Sequence, residues 1–544
     1  MLVIFLEKII IRIYSLGFFL ITNKFIRHNL SLFKPNRSNR NSDPIVLMEL
    51  NDMHSAHIAY SYIGNSLADL FGAQLKAYRV SSFRNWRRSV LFRVAATIGW
   101  KYFGVYRSFG VNEFFGLQLS HAQQKRANAL CTDVLRKISN KRDIEEISLG
   151  GIWVGDLIYD TFLNNFKLPT IDISKKIFRD HMLCSIEKFV FWSDYFDQTN
   201  VKAICVSHCV YDLAIPLRIA IERGIPSFQA NLTHIYRLNK TNYFAYNDFF
   251  YFPERFAQLP HDVQEVGKSL AKERIERRFK GEVGVDMSYS TKSSFTGLRT
   301  GKVLRVTNRK KILIATHCFF DSPHGYGPPL FPDFYEWLDF LGRMTEETDY
   351  DWYIKIHPDY RQGTKEIIDN FVKGYPKITL LPPSTSHHQI ISEGIDVALT
   401  CVGTIGFEYA ALGIPVINAS MNNPHVAYNF NIHAKDVDHY RNLLLSIDDI
   451  KIKINKEEIY EYYFMKFIFN TENIFFEDYE GFLRDIGGYN NQFGPISYKK
   501  WLSDWTPEKH SEISESIRKF ISSGDYRMDS RHTGKQFLID NINT

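Results

Sequence analysis

The stretch "TCVGTIGFEYAALGIPVI", residues 400–417, decides the fold class of this chain. It continues an apolar run that begins at Val397, turns at Gly403 and Thr404, and then has the spacing of a short helix. A Gly-x-Pro sequence leads into a second apolar run, and this order is typical of a parallel βαβ unit. The predicted helix is apolar except for one carboxylate, Glu408, which packing alone does not require.

The strand–helix–strand pattern recurs along the chain, at 42–80, at 201–230 and again from "KKILIATH" at 310–317. At 544 residues the chain is too long for one ordinary domain. We therefore predict an α/β fold with two Rossmann-type domains facing a cleft, an amphipathic N-terminal helix and a C-terminal helical return. The predicted divisions are an N-terminal segment 1–40, a first α/β domain 41–280, a Ser/Thr/Gly-rich linker 281–310, a second α/β domain 311–450 and a helical extension 451–544.

The composition narrows the classes of partner. A net charge of +6 is mild for this length and fits an anionic small molecule or an anionic membrane better than nucleic acid. The six cysteines are scattered without CxxC spacing, which favours a reduced, cytoplasmic protein. Cys205 and Cys209 flank His208, but we interpret them as strand and turn packing rather than a zinc site.

The N-terminus, "MLVIFLEKIIIRIYSLGFFLITNKFIRHN", is apolar but interrupted by charges. Its longest charge-free run, 13–23, is shorter than the roughly 20 residues of a spanning helix. On a helix, Lys8, Arg12 and Ser15 share one face opposite apolar residues, which predicts an interfacial helix on the inner face of the cytoplasmic membrane. A helix docked on the protein's own surface is the open alternative.

The turn at Gly403 and Thr404 has the features of a phosphate site. If Thr404 caps the helix, the amides of its first turn face the strand end, and the helix dipole favours an anion there. Gly403 lacks a side chain that would keep a phosphate from the backbone. Glu408, one turn further on, can accept both hydroxyls of a ribose. The alternative is that Glu408 caps or pairs with a neighbouring loop.

Other predicted strand ends in the second half are also polar. In "YDWYIKIHPDY" (350–360) Pro358 stops the strand and directs His357 into the cleft, where an imidazole can donate to phosphate. A Ser/Thr turn precedes the next helix, and polar loops follow two further strands. The predicted ligand site at these strand ends comprises His357, Pro358, Lys355, Gly403, Thr404, Glu408, Ser384, Ser386, His317, Asp321 and His425.

Strand–His-Pro, a Ser/Thr turn and then G-T-x-x-x-E-x-x-x-x-G-x-P-V-I resemble the nucleotide-sugar half of GT-B glycosyltransferases. Within them the pattern is most similar to bacterial capsule and lipopolysaccharide transferases, including the Kdo (3-deoxy-manno-octulosonate) transferases, and its His-Pro also resembles that of bacterial sialyltransferases. The resemblance is strong over 311–433 and loose over 145–235. A Gln-Pro signature of some capsule Kdo transferases is absent from the sequence, so the resemblance does not extend to that motif.

The resemblance implies a GT-B-like fold and a glycosyltransferase. The donor would be a nucleotide sugar, for instance CMP-Kdo or a related CMP-sugar, and the acceptor a bacterial surface polysaccharide or its lipid-linked precursor. It implies that His357 contacts the donor phosphate, Glu408 the ribose, and Gly403 and Thr404 the phosphate region. No nucleic-acid partner and no cofactor are expected.

Catalysis is expected from the first half, because in this fold the acceptor lies across the cleft. The candidates in order are Asp160, Asp212 and Asp156, each able to serve as general base or as nucleophile. Asp156 and Asp160 are one helical turn apart and could face one site; alternatively, Asp156 caps the helix and Asp160 is solvated. No Asp-x-Asp metal motif lies in a suitable context, so a metal-independent reaction is expected.

Two other function classes stay open. A non-hydrolysing nucleotide-sugar epimerase or a polyol-phosphate transferase can share this nucleotide half. A non-catalytic scaffold in a polysaccharide assembly complex could retain the nucleotide site without turnover. The predicted interfacial helix at the N-terminus and the long C-terminal tail favour transfer to a lipid-linked acceptor over epimerisation of a small soluble substrate. The intact His357, Gly403, Thr404 and Glu408 argue against a scaffold with a decayed site.

Overall fold

The computed structural model describes residues 2–33, 43–79, 86–287, 290–297, 301–357, 359–470 and 473–533. The side chains of 2–16, 86 and 88 are not among those described. Pro358 lies outside the described residues, so its predicted part in the site stays a prediction.

Fourteen strands are present in the described residues, and twelve of them build two six-stranded sheets. The strands are β1 (Ile45–Glu49), β2 (Gln74–Arg79), β3 (Val111–Gly116), β4 (Ser148–Leu149), β5 (Ile152–Trp153), β6 (Val201–Val206), β7 (Ser227–Ala230), β8 (Ile235–Leu238), β9 (Lys311–Ala315), β10 (Asp351–Lys355), β11 (Ile378–Leu381), β12 (Val397–Thr400), β13 (Val416–Asn418) and β14 (Ile432–His433).

The first sheet has the order β3-β2-β1-β6-β7-β8 and is parallel except for β8, which pairs antiparallel with β7. The second has the order β11-β10-β9-β12-β13-β14 and is parallel throughout. In each sheet the strand order reverses beside the first strand, which is the topology of doubly wound folds. The predicted α/β class with parallel sheets is confirmed.

Helices cover the sheets and fill the connections. They are α1 (Leu2–Leu32), α2 (His54–Phe71), α3 (Trp86–Ile98), α4 (Tyr102–Ser108), α5 (His121–Lys137), α6 (Lys141–Glu145), α7 (Gly155–Phe166), α8 (Lys176–Gln198), α9 (Ile215–Glu222), α10 (Phe252–Ala257), α11 (His261–Phe279), α12 (Phe334–Glu347), α13 (Thr364–Gly374), α14 (His387–Ser392), α15 (Ile405–Ala411), α16 (Val437–Leu445), α17 (Lys456–Tyr463), α18 (Tyr479–Asp485), α19 (Ile496–Asp504), α20 (Pro507–Ser523) and α21 (Ser530–Thr533).

The stretch 400–417 forms the end of β12, then α15 and then β13. All four residues of β12 and all five of β10 are buried, since the second sheet is covered on both faces. This explains why these strands read as continuous apolar runs rather than as an alternating pattern. The strand–helix–strand interpretation of the stretch is confirmed.

The described end of α1 docks on the protein. The ring of Phe25 stacks on Tyr498 with centroids 4.1 Å apart, and Asn29 Nδ2 donates to Ser108 Oγ at 3.1 Å. The amphipathic pattern predicted on Lys8 and Arg12 lies outside the described side chains. Within the described part of the chain, no helix is long and apolar enough to span a membrane.

The C-terminal residues return over both halves of the chain. Trp501 and Phe520 are buried in the core that covers the first sheet. Tyr463 and Phe464 pack in a separate aromatic cluster with residues of α11 and α15. Residues 464–469 form a short π-helix that continues α17.

Candidate functional site

A cavity of about 480 Å³ opens at the carboxyl ends of the second sheet's strands. Residues that follow β9, β10 and β12 line it, and β9 and β12 are the neighbours at which the strand order reverses. In open α/β sheets this is the place where ligands bind. Of the predicted site residues, those lining the cavity are Lys355, His357, Gly403, Thr404, Glu408, His317 and Asp321.

Lys355 is the last residue of β10 and is only 3 % exposed. In the described part of the chain no carboxylate pairs with it, and its Nζ donates to the carbonyl oxygen of Pro383 at 3.4 Å. Burial lowers the pKa of Lys355 to about 8. A buried ammonium without a counter-ion is costly, so the cavity holds positive charge that an anionic ligand would neutralise.

Three histidines surround this lysine. Burial, and then the neighbouring charge of Lys355, lowers the pKa of His357 below its usual value and that of His387 well below. Burial also lowers the pKa of His317 to about 4. At neutral pH these imidazoles are therefore uncharged and can each donate one hydrogen bond. His357 Nδ1 accepts from the amide of Asp359 at 3.1 Å, which leaves the proton on Nε2.

His317 ties β9 to β12. Its Nε2 accepts from the amide of Cys401 at 3.1 Å and lies 3.0 Å from Thr400 Oγ1, while its ring stacks on Phe334 with centroids 4.6 Å apart. Thr400 Oγ1 in turn accepts from the amide of Gly403 at 3.1 Å. This chain of hydrogen bonds fixes the turn that begins the 403–408 segment.

The turn differs in detail from the prediction. Thr404 stands at the N-cap of α15, but with helical φ and ψ of −59° and −22° and without a capping hydrogen bond from its side chain. A Cβ at Gly403 would lie 2.8 Å from Thr400 Oγ1 and 3.3 Å from His317 Cε1. Glycine is therefore required by close packing under the turn, whatever the ligand.

Glu408 is buried on α15 and forms a salt bridge with Arg278 Nη2. Arg278 lies in the last turn of α11, and its Nη1 donates to the carbonyl oxygen of Val285 at 2.9 Å. Both partners line the cavity. Glu408 thus pairs with a neighbouring element, which was the alternative that the sequence left open. Its carboxylate also lines the cavity.

The segment predicted as a linker forms one wall of the cavity. Ser293, Ser294 and Phe295 line it, and Ser294 accepts from the amide of His387 at 3.0 Å. Ser386 donates to the carbonyl oxygen of Phe295 at 2.8 Å and caps α14. Its hydroxyl is therefore occupied inside the protein. Ser384 is exposed and lines a neighbouring depression rather than this cavity.

Asp321 reaches the cavity from the loop after β9. The hydroxyl of Tyr211, from the first half of the chain, donates to its Oδ1 at 2.9 Å. Arg361 lies 3.7 Å from its other oxygen. Asp321 is therefore a carboxylate of the cavity that both halves of the chain hold in place.

His425 does not line the cavity. Its ring packs among aromatic side chains behind α15, 6.3 Å from Phe407 and 4.9 Å from Tyr462 between centroids. Neither ring nitrogen has a hydrogen-bond partner among the described residues. Burial lowers its pKa well below the usual value, so it is neutral.

Two predicted catalytic aspartates pair with cations away from the cavity lining, one with a buried arginine and one with a half-buried lysine. Asp156 and Arg218 are each 2 % exposed and 2.8 Å apart. Asp212 pairs with Lys188, and its backbone amide donates to Thr161 Oγ1 at 2.6 Å. Both carboxylates are therefore engaged by cations of the first half of the chain. Their catalytic role stays a prediction, and these contacts do not support it.

Asp160 belongs to a buried triad. His324 Nδ1 lies 2.6 Å from Asp160 Oδ1, and His324 Nε2 lies 2.9 Å from Glu145 Oε1. Burial alone would lower the pKa of His324, but the two carboxylates outweigh it and raise that pKa to about 10. His324 is thus an imidazolium that joins the loop after β9 to α6 and α7. Asp160 is 2 % exposed and does not line the cavity.

Several cavity residues were missed by sequence reasoning: Arg278, Lys292, Phe295, Arg361 and His387. Their positions depend on which loops fold over the second sheet, which periodicity does not report. One signal was available, because the His387-His388 pair directly follows the Ser/Thr turn that was already selected.

A second cavity, of about 440 Å³, lies at the carboxyl ends of strands of the first sheet. Met53 and Asn231–Thr233, which follow β1 and β7, line it together with Lys466 and Phe467 of the π-helix. Two elements contribute to both cavities, namely the loop after β9 and the end of α11 with the residues that follow it. These two elements thus contribute to both cavities, although no residue that the structure describes lines both.

Comparison with known proteins gives only distant similarities. No protein-family model and no curated protein sequence matches the chain. Among solved structures, KpsC of Thermosulfurimonas dismutans, a β-Kdo 2,4-transferase, is 12 % identical with a TM-score of 0.30, over 48 % of this chain and 79 % of that one. The UDP-GlcNAc 2-epimerase of Neisseria meningitidis is 9 % identical with a TM-score of 0.21, over 86 % and 99 %. A glycosyltransferase of Rickettsia africae is 11 % identical with a TM-score of 0.22, over 86 % and 100 %. At these values the similarities assign no activity.

Proposed function

We propose that this chain is a GT-B-type glycosyltransferase that moves a sugar from a nucleotide donor to a bacterial surface polysaccharide or its lipid-linked precursor. The observation that carries the proposal is Lys355, a buried ammonium without a carboxylate partner in the described residues, in a 480 Å³ cavity where the strand order reverses. Such a site favours an anion, and the phosphate of a nucleotide sugar supplies it.

The chemistry follows from where the charge develops. In transfer, an acceptor hydroxyl attacks the anomeric carbon, the bond from that carbon to the phosphate oxygen breaks, and negative charge gathers on the leaving phosphate. Lys355 and the Nε2 proton of His357 would stabilise that charge without reorganising. His387 would donate a further hydrogen bond. We propose a CMP-sugar, with CMP-Kdo first, as the donor to be tested.

The acceptor hydroxyl must lose its proton to a base that reaches the cavity. Asp321 meets this requirement, since it lines the donor cavity and is oriented by Tyr211 from the first half. We expect Asp321→Asn to retain nucleotide binding and to lower the transfer rate by about 10²-fold or more. Asp359→Asn, a cavity carboxylate held by Thr291, is the matched control. If Asp321→Asn transfers the sugar at the rate of the parent, Asp321 is not the general base.

The acceptor also needs space. The second cavity takes lining residues from two of the elements that line the donor cavity and opens at the strand ends of the first sheet, and we propose that the acceptor glycan binds there. Attachment to the inner face of the cytoplasmic membrane, which would bring a lipid-linked acceptor close, is part of the same proposal.

The experiment that tests the proposal is a thermal-shift titration with CMP, CDP, UDP and GDP. A ligand that binds the folded protein stabilises it in proportion to the logarithm of its concentration over Kd. Stabilisation by CMP alone supports the CMP-sugar donor. Stabilisation by UDP or GDP would support nucleotide binding but rule out a CMP-sugar donor. Isomerisation of the bound sugar without transfer would indicate an epimerase. No response to any nucleotide would overturn the proposal.

The Glu408–Arg278 pair gives a second, independent check. We expect Glu408→Gln to weaken nucleotide binding by about tenfold, because the amide cannot accept two ribose hydroxyls as the carboxylate can and Arg278 loses its partner. A double-mutant cycle with Arg278→Leu separates the two effects. If Glu408 acts only as partner of Arg278, the double variant will bind nucleotide no worse than Arg278→Leu alone. That outcome would show that Glu408 does not contact the ribose.

A further inference from the structure

Helix α3 exposes its apolar side to solvent. Leu91 in its middle, Ile98 at its end and Trp100 just beyond it are 67 %, 70 % and 58 % exposed. Among the side chains of α3 that the structure describes, those buried against the protein are Ser89, Phe92 and Ala96. A surface helix of a water-soluble domain normally places its polar face outward. In α3 an apolar stripe at helical spacing, which includes Val94, faces outward instead.

The described end of α1 shows the same feature. Phe18, Phe19 and Leu20 are 42 %, 63 % and 55 % exposed, one turn before Phe25 docks on the protein. This exposed apolar surface of α1 therefore lies outside the part of the helix that packs on the protein. Large apolar residues are left outside on the preceding turn.

Helices α1 and α3 belong to one region, because both pack on α4. The ring of Phe92 in α3 lies 5.2 Å from that of Phe103 in α4. On the α1 side, Ile26 Cδ1 approaches Gly104 of α4 so closely that a Cβ there would lie 3.1 Å from it. We call residues 17–32 and 86–101 the α1/α3 surface.

Within the two segments of this surface the charges have one sign. The sequence contains no Asp or Glu from 8 to 42 or from 80 to 112, although acidic residues are common elsewhere in the chain. Exposed cations lie between the apolar residues, among them Lys24, Arg27 and Arg93. Lys101 Nζ stands 4.8 Å from the ring centroid of Trp100. Apolar and aromatic side chains interspersed with cations fit a membrane interface that contains anionic lipid.

We infer that the α1/α3 surface docks on an anionic membrane leaflet, with Leu91, Ile98 and Trp100 inserted among the lipids. The positive charge favours a lipid surface as the partner over a second copy of the chain, because two such positively charged surfaces would repel each other. The inference rests on the membrane attachment included in the proposed function and adds α3 as its main contact, which the N-terminal pattern did not indicate.

The test is flotation of the full chain with vesicles of phosphatidylcholine, with and without phosphatidylglycerol. We expect binding to the anionic vesicles that weakens with salt. Leu91→Ser/Val94→Ser/Ile98→Ser should lower partitioning about tenfold or more, because each lost aliphatic side chain removes buried apolar area. Arg93→Gln/Lys101→Gln should lower it about tenfold on anionic vesicles, from the loss of two cations, and little on neutral ones.

Val306→Ser is the matched control, because Val306 is 80 % exposed but lies in the segment before β9. Nucleotide thermal shift on the same variants separates the two proposals, since it reports the cavity and not the surface. Flotation of the triple variant equal to the parent, or equal binding to neutral and anionic vesicles, would overturn the inference. So would self-association of the parent without vesicles that the triple variant abolishes.

Discussion

Replacing Lys355 by methionine should abolish nucleotide-dependent stabilisation while leaving the ligand-free protein at least as stable as the parent. The two effects have one cause. Lys355 is 3 % exposed, and burial lowers its pKa from 10.5 to about 8. That shift corresponds to a cost on the order of 3 kcal/mol for holding the charge in the ligand-free protein. Methionine has a similar length and does not carry this cost.

The measurement is a thermal melt of both proteins with and without saturating nucleotide. A ligand at a hundred times its Kd stabilises by about 2.7 kcal/mol, and we expect the variant to lose this shift. Lys373→Met, on exposed α13 of the same half, is the control and should melt and bind as the parent does. A Lys355→Met protein that still responds to nucleotide would show that the buried ammonium is not the anion site.

The pH dependence of binding follows from the same lysine. Because the pKa of Lys355 is about 8 in the ligand-free protein, its charge is lost as the pH rises through that value. Nucleotide affinity should therefore fall above pH 8, and the fall should be absent in Lys355→Arg if that variant binds. For stability the sign is opposite. The unfolded lysine holds its proton to a higher pH than the folded one, so folding becomes more favourable between about pH 8 and 10.5.

Replacing His324 by alanine should destabilise the protein by about 3–5 kcal/mol, because it leaves the carboxylates of Asp160 and Glu145 buried without their shared cation. Arg142 still pairs with Glu145 at 3.0 Å, but in the described residues no ion pair joins it to Asp160. The interactions that would be lost join the loop after β9 to α6 and α7. We therefore also expect His324→Ala to open this contact, as measured by hydrogen exchange in α6 and α7.

The triad has its own pH signature. The pKa of His324 is raised from 6.5 to about 10, so its stabilising effect is complete below pH 6.5 and is lost as the pH rises through 10. Urea unfolding between pH 6.5 and 8, below the range in which Lys355 acts with the opposite sign, should show a decline in the parent that His324→Ala lacks. His425→Leu is the matched control, because His425 is buried, neutral and without a hydrogen-bond partner in the described residues. It should change stability little and keep the parent's decline.

The same triad bears on catalysis. If Asp160 is the base, Asp160→Asn will lose transfer at unchanged stability; if it serves the triad, stability will fall together with transfer. An Asp160→Asn protein as stable as the parent but inactive would restore the order of candidates derived from the sequence.

The sequence by itself determined the parallel α/β class and the strand–helix–strand of 400–417, because buried parallel strands read as continuous apolar runs wherever they occur. It also indicated polar residues at the ends of β9, β10 and β12, since proline, glycine and Ser/Thr turns mark where strands stop. These signals are local, and short-range steric rules fix them.

Only the tertiary structure decided which polar groups share a space. Arg278 reaches Glu408 across 130 positions, and Phe295 covers Ser386 across 91. Asp160 and His324 are 164 residues apart. Whether a carboxylate meets a ligand or a buried cation depends on such pairings, because burial makes an unpaired charge too costly to leave alone. Residue type and spacing carry no record of that partner, so Asp156, Asp160 and Asp212 looked available in the sequence and are paired in the fold.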